Sequence, residues 1–218
     1  MNIKEMIIML LSKQALDKRE ILISKSKRIA FALEKATELH FGQVRKASKY
    51  SFMEHPIAVA YTLLIAGASE ELIIAGILHD TVEDTSYTLK QLSADFGNSV
   101  AILVASNTEK KYNEDGRERS WDDRKLDTII GMSTKTPEEI MLLIADKLDN
   151  IVSLQHIAKT VEFQGEKFNK YFKRGINDQI WYFVEISKRI KINTNTPDFF
   201  CVYLDEVEKF VAEYKNRI

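Results

Sequence analysis

The sequence predicts an all-α protein built as a helical bundle, and three observations carry that expectation. Apolar residues recur at helical spacing along most of the chain. Strand-like alternation is hard to find, and only 8 Gly and 3 Pro punctuate 218 residues. No internal repeat or low-complexity linker stands out, so one domain over 1–218 is expected.

The elements follow in order. Residues 2–19 suit an amphipathic first helix, and a second runs from about Ser26 to Phe41. Ala32, Leu33, Ala36, Leu39 and His40 share one stripe of it, and Gly42 can end it. Pro56 suits a first helical position and Gly67 a stop. Ser69 can cap a helix whose residues Leu72 to Leu78 are apolar on every side, which implies burial. Thr88 with Gln91 forms a capping box for a helix to Phe96, and 98–107 forms another after Gly97. Residues 109–119 are charged and aperiodic and read as a mobile, solvated loop, with a lid as the lesser alternative. Ser120 with Asp123 opens a helix to about Gly131. Thr136, Pro137 and Glu139 open the next, which turns Ile140, Leu143, Ile144, Leu148 and Ile151 inward. Two aromatic-rich helices are expected at about Lys167–Ile190 and Asp198–Lys215.

Bulk composition narrows the function. Apolar residues make up 45 % of the chain, ample for a core. Lys and Arg number 31 against 32 Asp and Glu, so neither a nucleic-acid arm nor an acidic tail shows. An anionic substrate must therefore be held by local charge. The single cysteine, Cys201, allows no internal disulfide and is compatible with a reducing compartment. The apolar run Met6 to Leu11 is too short for a membrane span and lacks a small-residue cleavage site after it. A cytoplasmic location without membrane association is the default expectation.

The chemistry concentrates where the all-apolar helix runs into His79-Asp80-Thr81-Val82-Glu83-Asp84. Three carboxylates and an imidazole at the end of a buried helix are costly unless compensated, and a metal ion is the obvious compensation. On a helix His79 and Glu83 share a face, as do Asp80 and Asp84. Imidazole plus carboxylate suits Mn²⁺, Fe²⁺ or Zn²⁺. Two local ligands are too few, and His55 before Pro56 and Asp146 inside an apolar helix are the other candidates.

His79-Asp80 is also the signature pair of the HD phosphohydrolases, and the string from His79 to Thr85 resembles the hydrolase domain of the RelA/SpoT alarmone enzymes and their small single-domain relatives. Gly42-Gln43-Val44-Arg45-Lys46, then Tyr50 and His55-Pro56, resembles that family's first motif. Leu92, Phe96-Gly97 and Val100-Ala101 resemble its next helix pair, and 145–150 resembles its last metal motif. The resemblance covers a motif core of about 26–156 and leaves a C-terminal helical extension of about 157–218. It implies an HD-domain helical fold with His55, His79, Asp80 and Asp146 as ligands of a metal, usually Mn²⁺. It implies Glu83 and Asp84 beside the attacking water, handling its proton, Arg45 and Lys46 on the nucleotide, and Asn150 positioning it. The activity implied is release of pyrophosphate from a guanosine 3′,5′-bis(diphosphate), a small-molecule substrate.

Two departures stand out. Asp149 occupies the place where the family motif has His before its Asn, and the alarmone synthetase domain is absent, so synthesis is not expected. Phe172, Arg174-Gly175, Gln179 and Trp181-Tyr182 instead resemble a set of bacterial HD proteins. Two alternatives therefore stand beside the first reading: an HD phosphohydrolase acting on another nucleotide or phosphoester, and a non-catalytic nucleotide sensor. Taken singly, Asp146 could pair with Lys147 or Lys125, His55 could be a helix-entry residue, and Arg45 and Lys46 could be solvated charges. His40 reads as core or as support for the site and His156 as structural. The aromatic stripe from Phe168 to Phe183 reads as packing rather than a base platform.

Overall fold

Serine side chains set several of the helix starts. In the computed structural model, which describes residues 14–45, 50–160, 172, 174–192 and 196–214, the hydroxyls of Ser26, Ser69 and Ser120 accept from the N–H of Ile29, Leu72 and Asp123. These caps open α2 (Lys27–Leu39), α4 (Glu70–Leu78) and α8 (Trp121–Gly131), which follow α1 (Ala15–Ile23) and α3 (Glu54–Ile65) in the order of the chain. Such a cap contributes roughly 1 kcal/mol by satisfying a helix-end N–H. Thr88 and Gln91 form the expected capping box at α6 (Leu89–Phe96). Gly97, at φ +94°, turns the chain into α7 (Asn98–Asn107). Thr136 and Glu139 exchange two bonds at the start of the 24-residue α9 (Pro137–Thr160).

Some boundaries differ from the sequence reading. The described part of the first helix is Ala15–Ile23, so it ends later than residue 19, and residues 2–13 lie outside the described residues. Pro56 is the third residue of α3 rather than the first. The first turn of any helix has no intrahelical acceptor for its N–H groups, so proline is tolerated throughout it. Of the helix expected at about Lys167–Ile190, the described residues hold α10 (Ile176–Ser187), preceded by an extended Gly175 and by Phe172 and Arg174, which are not helical, while residues 167–171 and 173 lie outside the described residues. Residues 109–119 form a tight reversal with a bridge between Tyr112 and Glu118, closed by Arg119 N–H on the Lys111 carbonyl at 2.8 Å. The final helix is α11 (Phe199–Tyr214).

The architecture is all-α; among the described residues only isolated bridges break it. The all-apolar α4 is buried on every side, against α2, α3 and α7. Gly76 explains how closely α3 approaches it. A methyl group there would stand 2.7 Å from Leu63 Cδ1 and 3.3 Å from the Ala60 backbone. The long α9 crosses α3 and α7 and carries α11 on its far half, while α10 packs on α11. Tyr203 Oη donates to the Phe183 carbonyl at 3.0 Å, joining that pair. No helix among the described residues is long and apolar enough to cross a membrane.

Candidate metal centre and its cavity

Helix α4 stops at Leu78, and the chain turns at His79 and Asp80 before the single-turn α5 (Thr81–Asp84). Asp84 N–H closes that turn on the Asp80 carbonyl at 2.9 Å. The break lets two adjacent side chains converge. His79 Nε2 and Asp80 Oδ2 lie 3.2 Å apart. From the first turn of α3, His55 Nε2 comes within 3.1 Å of His79 Nε2 and 3.5 Å of Asp80 Oδ2. From the middle of α9, Asp146 Oδ1 lies 3.3 Å from His55 Nε2 and 3.8 Å from His79 Nε2. The fold therefore brings together the four residues that the sequence singled out, with both carboxylates beside both imidazoles.

The donor set fits a divalent cation. Bonds of about 2.1 Å at right angles or tetrahedral angles put ligand atoms about 3.0–3.4 Å apart. The separations between the two imidazoles, and from each of them to the Asp80 and Asp146 oxygens, run from 3.1 to 3.8 Å, close to the spacing of neighbouring corners of one coordination polyhedron. His55, His79 and Asp80 also form a tight triangle of possible ligand atoms.

The surrounding bonds aim both rings. His79 Nδ1 donates to the Gly76 carbonyl at 2.9 Å, and His55 Nδ1 donates to Asp149 Oδ2 at 2.7 Å. When the rings are neutral, each Nε2 lone pair points at the common centre, an arrangement that fixes the tautomer and strengthens a ligand. Without a cation the centre favours protons. Burial and Arg45 oppose a charge on His55, but the carboxylates of Asp146, Asp149 and Asp80 outweigh them and raise its pKa well above the usual value. Burial opposes a charge on His79 too, and Asp80 reverses it. Despite burial, Asp80 is held well below the carboxylate range by His79 and His55, and Asp146 is held low by Lys147 and His55.

A wall of charge runs outward from this centre. Lys147 Nζ binds Asp146 Oδ2 at 2.6 Å and lies 5.7 Å from the Tyr182 ring centroid. Lys125 Nζ sits over the same ring at 4.8 Å and binds Glu109 Oε1 at 2.5 Å. The backbone N–H of Glu109 donates to Glu83 Oε2 at 3.1 Å. Lys111 reaches Asp84 Oδ1 at 2.7 Å and Glu83 Oε1 at 3.5 Å. Burial, then the charges of Asp80 and Glu109, raise the Glu83 pKa. Glu83 and Asp84 line, with Asp80 and Asp146, a cavity of about 770 Å³.

The expected nucleotide contacts fare unevenly. Arg45 and Asn150 line the cavity, but Arg45 is engaged with Asp149 at 2.9 Å, Ser153 at 3.0 Å and Asn150 at 3.4 Å. Asn150 in turn donates to Asp146 Oδ1. Lys46 lies outside the described residues. His40 is buried, bonded to Gln43 and packed 4.5 Å from the Phe52 ring, which matches a core or supporting role. His156 is exposed on α9. Sequence reasoning missed Glu109 and Lys111 as parts of the site, and it offers Lys125 only as a partner for Asp146, whereas Lys125 binds Glu109. It also read the aromatics as packing alone, whereas Phe172, Tyr182 and Phe183 line the cavity together with Gln179 and Trp121. The pairing of Asp146 with Lys147, one of the two partners the sequence offers it, is present.

A family model described as "HD domain" matches residues 32–171. Among curated proteins, a guanosine-3′,5′-bis(diphosphate) 3′-pyrophosphohydrolase of Aquifex aeolicus (strain VF5) is 36 % identical over 129 residues, covering 59 % of this chain and 18 % of that protein. A GTP pyrophosphokinase of Streptomyces coelicolor is 33 % identical over 143 residues, covering 64 % of this chain and 16 % of that protein. The chain thus spans less than a fifth of the length of these relatives. Among solved structures, lmo0812 from Listeria monocytogenes EGD-e is 37 % identical with a TM-score of 0.63, covering 77 % of this chain and 99 % of that one. A metazoan ortholog of SpoT, described as hydrolysing ppGpp, shares the fold at 23 % identity and a TM-score of 0.66, covering 84 % of this chain and 95 % of that one.

Proposed function

The chain belongs to the HD-domain family, and from that premise we propose that it is a Mn²⁺-dependent phosphohydrolase releasing pyrophosphate from guanosine 3′,5′-bis(diphosphate). One observation carries the reading: the imidazoles of His55 and His79 each come within 3.8 Å of both the Asp80 and the Asp146 carboxylates, from three separate segments, with both rings aimed by bonds at Nδ1. The curated relative of that name supports the substrate.

A divalent cation held there would act as a Lewis acid and make water more acidic. In the reaction, the water oxygen bonds to the phosphorus next to the ribose. The bond from that phosphorus to the 3′-oxygen breaks, and the 3′-oxygen leaves with a proton. Glu83, with its pKa raised by burial, is suited to take the proton from the water. Lys111, bonded to Asp84, offsets charge gathering on the phosphoryl oxygens. Asn150 holds Asp146, and Arg45 holds Asp149, so both shape the site even before a nucleotide binds. Lys46 is proposed as a nucleotide contact on the family motif alone. A small guanosine nucleotide is the proposed partner, and a cytoplasmic setting goes with it.

Purified protein with Mn²⁺ should release pyrophosphate from guanosine 3′,5′-bis(diphosphate), and Asp80→Asn should abolish the release. Persistence of the release in that variant would refute the proposed centre. A second reading, hydrolysis of another nucleotide or phosphoester, is favoured by the wall that Gln179, Tyr182 and Phe183 of α10 add to the cavity from beyond the motif core. Turnover of nucleoside monophosphates with none of the bis(diphosphate) would select it.

A further inference from the structure

A second cavity, of about 330 Å³, lies behind the charged wall and shares Asn107, Glu109, Arg124 and Lys147 with the first. Its lining carries more positive than negative side chains, and most of the carboxylates are already spent. Glu109 takes Lys125 and Arg124, Asp127 takes Arg119 at 2.7 Å, and Glu139 caps the Thr136 N–H at 2.7 Å. Lys147 is committed to Asp146 in the neighbouring cavity. Two ammonium groups are left over. Lys135 reaches only the Ser106 carbonyl, at the end of α7, and no carboxylate among the described residues pairs with Lys110 or Lys135. The Nε–H of Arg124 is buried and has no acceptor. Burial lowers the basicity of Lys135; the Glu139 carboxylate opposes this and Lys147 adds to it, and the net direction is downward. A partly buried surplus of positive charge lining one cavity calls for a counter-charge.

We propose that this cavity binds a compact oxyanion of the phosphate or pyrophosphate class, held by Lys110, Lys135 and the guanidinium of Arg124. Arg124 gives such an anion a route to the centre next door. The same guanidinium binds Glu109, and the Glu109 N–H holds Glu83. An anion that draws on Arg124 competes with the Glu109 carboxylate and so shifts the seat of Glu83. Binding here does not depend on the hydrolytic reading, whereas any effect on turnover does.

The test is calorimetric titration of inorganic pyrophosphate into the full chain, freed of metal by chelation. Wild-type protein should bind it. Lys135→Glu and Lys110→Glu should each weaken binding about ten-fold or more, the scale of one lost charge-assisted contact. Neither residue lines the larger cavity, so Mn²⁺ titration should be unchanged in both. Lys110 is exposed, so its variant carries the test should Lys135→Glu fail to fold. Wild-type affinity in the folded variants would place the anion in the larger cavity and overturn the proposal, as would absence of binding in wild type. Loss of hydrolysis would leave this result standing, so the two readings fail separately.

Discussion

Asp149 Oδ2 stands 2.7 Å from His55 Nδ1, and the same oxygen is 2.9 Å from Arg45 Nη1. The residue that departs from the family motif therefore aims one imidazole of the centre and is itself held by a guanidinium. Asp149→Ala is expected to lower divalent-metal affinity about 10- to 100-fold, the usual cost of losing such a partner. Competition against a metallochromic chelator measures this. Unchanged affinity would show that the ring keeps its aim without the carboxylate.

The centre also predicts how stability follows pH. The raised pKa of His55 means its interactions stabilise the metal-free fold fully below about pH 6.5, the unfolded value, and are lost as pH rises through the folded value. The lowered Asp80, Asp146 and Asp149 act in the opposite sense, stabilising above about pH 4 and failing as pH falls through their folded values. A bound cation must displace the proton on Nε2. Chelated protein should therefore melt at lower temperature as pH is raised from 7 to 9, while the gain in Tm on adding Mn²⁺ grows over the same range. A gain in Tm that is flat with pH would contradict the protonated centre.

Glu83 is held by one backbone N–H and by Lys111, and burial raises its pKa. Glu83→Gln keeps the shape and removes the base. It should lower kcat by about 10²- to 10⁴-fold with metal content unchanged. In wild type the acid limb of the rate profile should lie above the ordinary glutamate value of about 4.3. Full kcat in the variant would remove Glu83 from the proton path.

Thr88 and Gln91 cap α6 away from the centre. Thr88→Ala should destabilise the fold by roughly 1 kcal/mol, a drop of about 2–4 °C in Tm for a chain of this size. Metal affinity should stay at the wild-type value. A joint fall of both would mean that α6 braces the site.

Local chemistry made much of this legible in the sequence. Ser69, Thr88, Ser120 and Thr136 announce helix starts through bonds to residues three positions on, which depend on nothing distant. Asp146 stands out because Leu142 to Ala145 before it are all buried. The family motifs joined His55 and Asp146 to His79 and Asp80, which spacing alone left open. The pairs Glu109–Lys125 and Lys111–Asp84 were not legible, because each joins a loop to a helix across a fold that had yet to form. Periodicity could not reveal the break before α10 at 172–175 either. Phe172 packs against the core without being helical, so an aromatic pattern continues where the helix does not.

Gly76 offers its carbonyl to one imidazole while its missing side chain lets the helix of the other come close. The bite of the cage is thus governed from behind, by a residue that touches no ion. An alanine there would turn the end of Leu63 aside and ask the Ala60 backbone to give by a few tenths of an ångström, on the same helix that carries His55. The geometry offered to a cation thus rests on helix spacing as well as on the ligands themselves.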